Sequence, residues 1–179
     1  MAAFKETFTK EIVKKLQEEL KIKNTMAVPN LSKIVVNIGV RNATADKKNL
    51  EIANTVMTQI TGQKPKITKA KKSIASFKLR EGDKIGLMVT LRGDRMFDFF
   101  GKLVSVVLPR IKDFHGVKKN SFDTRGNYTL GLSEYTVFPE VDQGKIDRTQ
   151  GLEICIVATA KNNKEGVALL KALGMPFAK

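Results

Sequence analysis

Between Gly86 and Pro109 the hydrophobic period changes from that of a strand to that of a helix without a break. In GLMVTLRG, Gly86 to Gly93, the residues Leu87, Val89 and Leu91 alternate with Met88, Thr90 and Arg92. A strand here buries the first set and turns the second to the opposite face, which is polar enough to bind a ligand. Asp94 to Leu108 then carries Met96, Phe97, Phe99, Phe100, Leu103, Val104, Val106 and Val107. That density of apolar side chains predicts a helix at the centre of the core, stopped or kinked by Pro109. A strand feeding such a helix restricts the chain to folds that layer sheet against helix.

The remaining segments extend the pattern. Phe4, Phe8, Ile12, Leu16 and Leu20 recur every fourth residue, as on an amphipathic helix. KIVVNIGV, Lys33 to Val40, reads as a strand ending at Gly39. From Asp46 as N-cap, Leu50, Ala53, Val56, Met57 and Ile60 trace a second helix that Gly62 terminates. NYTLGLSEYTVF reads as one or two strands and LEICIVATAK as another, and NKEGVALLKALG is a final helix closed by Gly174 and Pro176. The order α-β-α-β-β-α-β-β-α predicts an α+β fold of the RNA-recognition or ferredoxin-like kind. Its sheet is mostly antiparallel, its helices pack mainly on one face, and the other face is left to a ligand. At 179 residues the chain is expected to form a single domain over 1–179, with a long basic projecting loop at about 69–82.

Charge narrows the ligand. Residues 1–125 hold 26 Lys or Arg against 12 acids, whereas residues 126–179 hold six of each, so the net charge of +14 lies in the first part. A one-sided positive field captures polyanions, which makes nucleic acid the leading partner and an anionic membrane surface the second. No apolar run reaches the roughly 20 residues that span a bilayer. The opening MAAFKETFTKEIVKKL mixes acids with Lys, unlike a secretory or transit segment, and cytosolic residence is expected. The single cysteine, Cys155, agrees with a reducing compartment and is read as a small strand residue.

Catalytic constellations are sparse. The only histidine, His115, sits in the basic turn RIKDFHGV, so any triad or multi-histidine metal site would depend on that one ring. No dinucleotide fingerprint, phosphate-binding loop or zinc-type Cys/His spacing is present. A nuclease-like carboxylate site would have to draw on Asp94, Asp98, Asp113, Glu140 or Asp142. Of these, Asp94 and Asp98 follow a helix start, where acids meet the dipole favourably, and the others have no motif spacing. No cofactor and no metal are expected.

The basic segments carry the positive evidence. Lys64 to Lys84 contains eight Lys or Arg and two acids, and its periodicity is poor. It reads as a projecting loop or hairpin arm, with Lys69, Lys71 and Lys72 near its start. Lys78 and Arg80 alternate with Phe77 and Leu79 near its end. Such cations attract phosphate irrespective of sequence, and Ile74 and Phe77 offer apolar surface for sugar and base. A second group, Arg110, Lys112, Lys118 and Lys119, surrounds His115 and suits either RNA or an acidic protein patch. In SFDTRGNY, Arg125 either binds phosphate or pairs with Asp123 across a turn.

The ordered set KIVVNIGV, GQKPKITKAKKSIASFKLREGDKIGLMVTLRGDRMFDFF, PRIKDF, SFDTRGNY, FPEVD, GLEICIVATAK and MPF, from about Lys33 to Phe177, closely resembles the bacterial family of large ribosomal subunit protein five. That family holds 5S ribosomal RNA in the central protuberance. The resemblance implies a structural, non-enzymatic role in the cytoplasmic ribosome. It implies a 5S RNA surface of Lys33, Asn37, Gln63, Lys64, Thr90 and Arg92. It also implies a loop reaching the peptidyl-site transfer RNA, with Lys69, Lys71, Lys72, Ser73, Lys78 and Arg80. A contact with a small-subunit head protein across an intersubunit bridge maps to Arg110, Lys112, His115 and Lys118. Neighbouring large-subunit RNA and 5S-associated proteins complete the expected partners, with no membrane among them. The chain departs from the family pattern at Arg41-Asn42, Lys112, His115 and Thr124, and the bridge contacts are those most affected. The alternatives are a metal-dependent RNA nuclease or another RNA-binding factor outside the ribosome.

Overall fold

The computed structural model describes residues 12–40, 47–141 and 150–178. Phe4, Phe8, the Asp46 cap, the Arg41-Asn42 departure and the Asp142 carboxylate lie outside the described residues. The elements are α1 (Val13–Leu20), β1 (Leu31–Gly39), α2 (Lys47–Thr61), β2 (Lys66–Lys69), β3 (Lys84–Leu91), α3 (Gly93–Lys102), β4 (Tyr128–Leu132), β5 (Leu152–Ala158) and α4 (Asn163–Ala172). This is the expected α+β order. The five strands form one antiparallel sheet in the order β2-β3-β1-β5-β4, covered by helices on one face.

Alternation decides which face is covered. Ile34, Val36 and Ile38 of β1, Leu87, Val89 and Leu91 of β3, and Leu152, Ile154 and Ile156 of β5 are buried. Lys33, Val35 and Asn37 of β1, with Met88 and Thr90 of β3, stay half-exposed between them. Successive strand residues point to opposite faces, so one apolar set per strand is enough to seat the sheet on the core.

By compactness the chain divides into two units, one of 1–34, 91–130 and 155–179, the other of 35–90 and 131–154. In the first, α1 lies against α4 and buries Leu16, while α3 contributes Met96, Phe97, Phe99 and Phe100 and α4 contributes Leu169 and Leu170. In the second, Leu50, Ala53, Val56, Met57 and Ile60 form the buried stripe of α2, and Gly62 ends that helix at φ 65° as the sequence anticipates.

Two boundaries differ from the sequence reading, and a third segment takes one of the two forms expected of it. β1 begins two residues early because Asn30 and Thr159 tie its start: Asn30 N–H donates to Thr159 Oγ1 and Thr159 N–H to the Asn30 carbonyl, each at 2.9 Å. The central helix does not stop at Pro109. It widens into a π turn over Leu103–Val107 and continues through Leu108–Arg110. That register puts Pro109 in the first turn of the last segment, where its missing N–H is not needed. NYTLGLSEYTVF supplies one strand, β4; a 3₁₀ turn at Tyr135–Val137 then drops Tyr135 and Phe138 into the core.

Candidate nucleic-acid interface

The uncovered strand positions bring together part of the expected 5S RNA set. In the second unit, Asn37 shares its strand face with Val35, and Thr90 shares its own with Met88. β2 pairs antiparallel with β3 so that Lys66 opposes Met88 and Thr68 opposes Gly86. Cross-strand partners lie on one face. Lys66, which sequence periodicity did not single out, is thereby an exposed cation beside the Thr90 row. Gly86 is required at this crowded point, because a Cβ there would lie 2.6 Å from the Ile38 carbonyl oxygen and 2.8 Å from Thr68 Oγ1. Asn37 Nδ2 donates to Glu153 Oε2 of β5 at 3.4 Å, which orients the amide. Lys33 precedes Asn37 by four residues on β1, and Arg92 is the exposed N-cap residue of α3; both fall in the first unit.

Gln63 and Lys64 are presented by a locked helix end. Thr61 is buried, and its hydroxyl donates to the Met57 carbonyl at 2.7 Å with the Gln63 carbonyl also in reach at 3.0 Å. The same oxygen accepts the Gln63 N–H at 3.3 Å. With Pro65 buried behind them, Gln63 is half-exposed and Lys64 exposed. The hydroxyl substitutes for the next turn of helix and fixes the direction in which the chain leaves it.

Between β2 and β3 the basic segment is a hairpin with its own hydrogen bonds. At the neck, Ala70 N–H donates to the Asp83 carbonyl at 2.8 Å and Gly82 N–H to the Ala70 carbonyl at 3.0 Å. Farther out, Ser73 Oγ accepts the Glu81 N–H at 3.0 Å. Ile74 and Leu79 exchange both backbone bonds, at 2.9 and 3.1 Å, around a 3₁₀ turn at Ala75–Phe77. Asp83 Oδ2 accepts the Arg80 N–H at 2.7 Å, so one of the two acids of the segment is engaged by its backbone. Lys69, Lys71, Lys72, Lys78 and Arg80 are all solvent-facing. Their poor periodicity has a local cause: turn-forming backbone bonds, rather than a buried face, hold them.

The other cationic group is also displayed on a pinned loop. Arg110, Lys112, His115 and Lys118 are exposed, while Val117 between them is buried. Val117 N–H donates to the Pro176 carbonyl at 2.8 Å, and its own carbonyl accepts from Ala178 N–H at 3.0 Å. Tyr128 Oη donates to the Lys118 carbonyl at 2.9 Å.

At SFDTRGNY the Asp123 carboxylate is held by backbone N–H groups and the Asn127 amide. Its Oδ1 accepts the backbone N–H of Arg125 at 2.9 Å and of Asn127 at 2.8 Å, and its Oδ2 accepts Asn127 Nδ2 at 2.7 Å. The Asn127 side-chain amide, opposed by desolvation and joined by the backbone N–H groups of Asn127 and Arg125 and the charge of Arg125, holds the Asp123 carboxyl below its usual range. Arg125 itself is exposed. A depressed folded-state pKa contributes order that is present above the unfolded value and lost as pH falls through the folded one. The protection factors of the Arg125 and Asn127 amides, corrected for intrinsic exchange, are therefore expected to fall below about pH 4, and Asp123→Ala should abolish that dependence. Amide exchange followed by NMR checks this; flat protection down to about pH 2 in the unsubstituted chain would contradict it.

Among the described residues no three His, Cys, Asp or Glu side chains gather where a metal ion would bind, and no helix is long and apolar enough to cross a membrane. Two family models match the chain: "Ribosomal protein L5" over residues 24–80, and the model of the C-terminus of the same ribosomal family over residues 84–177. Proteins described as "Large ribosomal subunit protein uL5" are similar over nearly the whole length. The one from Solibacter usitatus is 55% identical over 176 residues, 98% of each chain. Those from Chloroflexus aurantiacus and Streptococcus pyogenes are 57% and 56% identical, covering 97% and 98% of this chain and 96% and 97% of their own.

Proposed function

Because the chain belongs to the ribosomal protein L5 family, and is with it a structural constituent of the large ribosomal subunit in the cytoplasm rather than an enzyme, we propose that it binds 5S ribosomal RNA through its uncovered strand face. The observation that carries this reading is the alternation on β1 and β3, which spends the apolar side chains on the core and leaves Asn37 and Thr90 half-exposed. With Asn37 Nδ2 directed to Glu153, the amide oxygen remains to accept from a 2′-hydroxyl or a base amino group. Thr90 can donate and accept, and Gln63 adds a second amide. Lys33, Lys64, Lys66 and Arg92 supply phosphate neutralisation. Hydrogen-bonding groups among cations suit RNA read by shape and 2′-hydroxyl contacts. Binding of 5S RNA against an unrelated structured RNA, over a salt series, tests this.

The hairpin arm is the contact to peptidyl-site transfer RNA in the same reading, with Lys69, Lys71, Lys72, Lys78 and Arg80 meeting phosphates and Ser73 bracing the two limbs. Reversing the charge of Lys71, Lys72, Lys78 and Arg80 together is expected to leave 5S RNA affinity within about threefold, because none of them lies on the strand face. The same change should weaken transfer RNA retention on assembled ribosomes by about tenfold or more, on the order of four lost phosphate contacts. Filter binding and ribosome co-sedimentation measure the two; loss of 5S binding instead would show that the surfaces are divided wrongly.

Arg110, Lys112, His115 and Lys118 form the proposed contact with a small-subunit head protein. Their exposure on a loop braced by Val117 supports it. Large-subunit RNA and the proteins around 5S RNA are the remaining partners.

A further inference from the structure

The tip of the arm combines two properties that seldom occur together. Phe77 is 75% exposed and Ile74 42% exposed, although both lie in a segment whose backbone is organised by its own hydrogen bonds. The ring is not loosely placed. Phe77 N–H donates to the Ile74 carbonyl at 3.3 Å and Lys78 N–H to the Ala75 carbonyl at 3.0 Å, which closes the turn on either side of it. Lys78 adopts the left-handed conformation, φ 50°, so the chain reverses immediately after the ring. The residues before it, Ala75 and Ser76, are small. A hydrogen-bonded hairpin thus holds an aromatic face in solvent, where it loses the stabilisation that burial would give.

We propose that Phe77 is a stacking platform for an exposed base of a folded RNA, with Ile74 against the adjoining sugar and Lys71, Lys72, Lys78 and Arg80 on the flanking phosphates. This rests on reading the arm as an RNA contact and names what it recognises. Charge selects RNA as the occupant: the segment Lys64 to Lys84 has eight cations and two acids, and the Asp83 carboxylate is already taken by the Arg80 N–H. An aromatic face adds something the cations cannot. Paired RNA stacks its bases on one another, so only a loop, a bulge or a stacked end offers a free base face. The arm would therefore prefer folded RNA with an uncovered base to a plain duplex of equal charge.

The chain contains no tryptophan, so Phe77→Trp installs a single reporter at the tip. In the full chain, a stem-loop RNA with an unpaired purine loop should quench that tryptophan, and a fully paired duplex of the same length should not. Phe77→Ala should weaken stem-loop binding roughly 5- to 150-fold, with little change for the duplex. The salt slope should be unaltered by Phe77→Ala, while Lys71→Glu with Lys72→Glu should lower it by about two for both RNAs. Unchanged stem-loop affinity in Phe77→Ala, with weakening in the charge variant, would overturn stacking and leave the arm as a phosphate contact. If neither variant changes binding, the arm reading fails as well. Equal losses on stem-loop and duplex, or tryptophan quenching by an acidic peptide alone, would also overturn the proposal.

Discussion

Raising the salt from about 50 to 200 mM is expected to weaken 5S ribosomal RNA binding by roughly a thousandfold, the effect of releasing counterions from about six phosphates. In the proposed interface Lys33, Lys64, Lys66 and Arg92 are four of the cations that would meet those phosphates. Each of the four replaced by Glu should lower the slope of log affinity against log salt by about one or more. Asn37→Ala and Thr90→Val should behave differently. They remove hydrogen bonds without altering charge, so the slope should hold while the preference for 5S RNA over an unrelated RNA falls, by about 1–3 kcal/mol for a lost specific contact. Titration of both RNAs at several salt concentrations separates the two kinds of residue. Equal affinity for the two RNAs in the unsubstituted chain would sink specific recognition and leave only general polyanion binding.

Gly166→Ala should be among the most destabilising single-methyl additions available to this chain. The new Cβ would sit 2.5 Å from the Gly126 carbonyl oxygen, 2.8 Å from its Cα and 3.0 Å from its carbonyl carbon. All three are backbone atoms, so no side chain can rotate away. Gly126 is equally confined: its φ is 74°, and a Cβ there would meet Ala160 Cβ and the Asn162 carbonyl oxygen at 2.8 Å. The two glycines let α4 and the Asp123 turn approach to backbone contact, the turn that displays Arg125. Forcing them apart should cost about 3 kcal/mol, or roughly 10 °C in melting temperature for a chain of this size. Gly131→Ala is the control. A Cβ at Gly131 meets nothing within 4 Å, so its melting temperature should stay within about 2 °C of the unsubstituted chain. Thermal unfolding followed by circular dichroism decides the matter; a Gly166→Ala chain that melts with the control would mean that the turn yields at little cost.

Much of the architecture was legible because it is written in local periods. Leu87, Val89 and Leu91 repeat every second residue and Leu50, Ala53, Val56, Met57 and Ile60 every third or fourth, and those spacings alone assign strand and helix. The order of the elements followed, and with it the open sheet face. The exceptions are positions where a distant partner overrides the local pattern. β1 starts at Leu31 because Asn30 meets Thr159. The segment after Leu132 turns inward because Tyr135 N–H finds the Gln150 carbonyl at 3.1 Å. Pro109, which local chemistry reads as stopping or kinking the helix, follows a π turn, and the helix ends one residue past it at Arg110.

The candidate interface divides in the same way. Sequence by itself determined that the excess charge lies in residues 1–125 and that the ordered motifs resemble a ribosomal family, since each of these is a property of residue identity and spacing along the chain. Tertiary structure alone decided that Lys66 faces the same way as Thr90, that Glu153 orients Asn37 from 116 positions away, and that the basic segment is a braced hairpin which holds Phe77 in solvent. It also decided that Gly126 and Gly166, far apart in the chain, must touch. The reason is physical: cross-strand register, close backbone approach and hydrogen bonds between remote groups are set by how the sheet pairs, and the periodicity of a single segment carries no record of its partner.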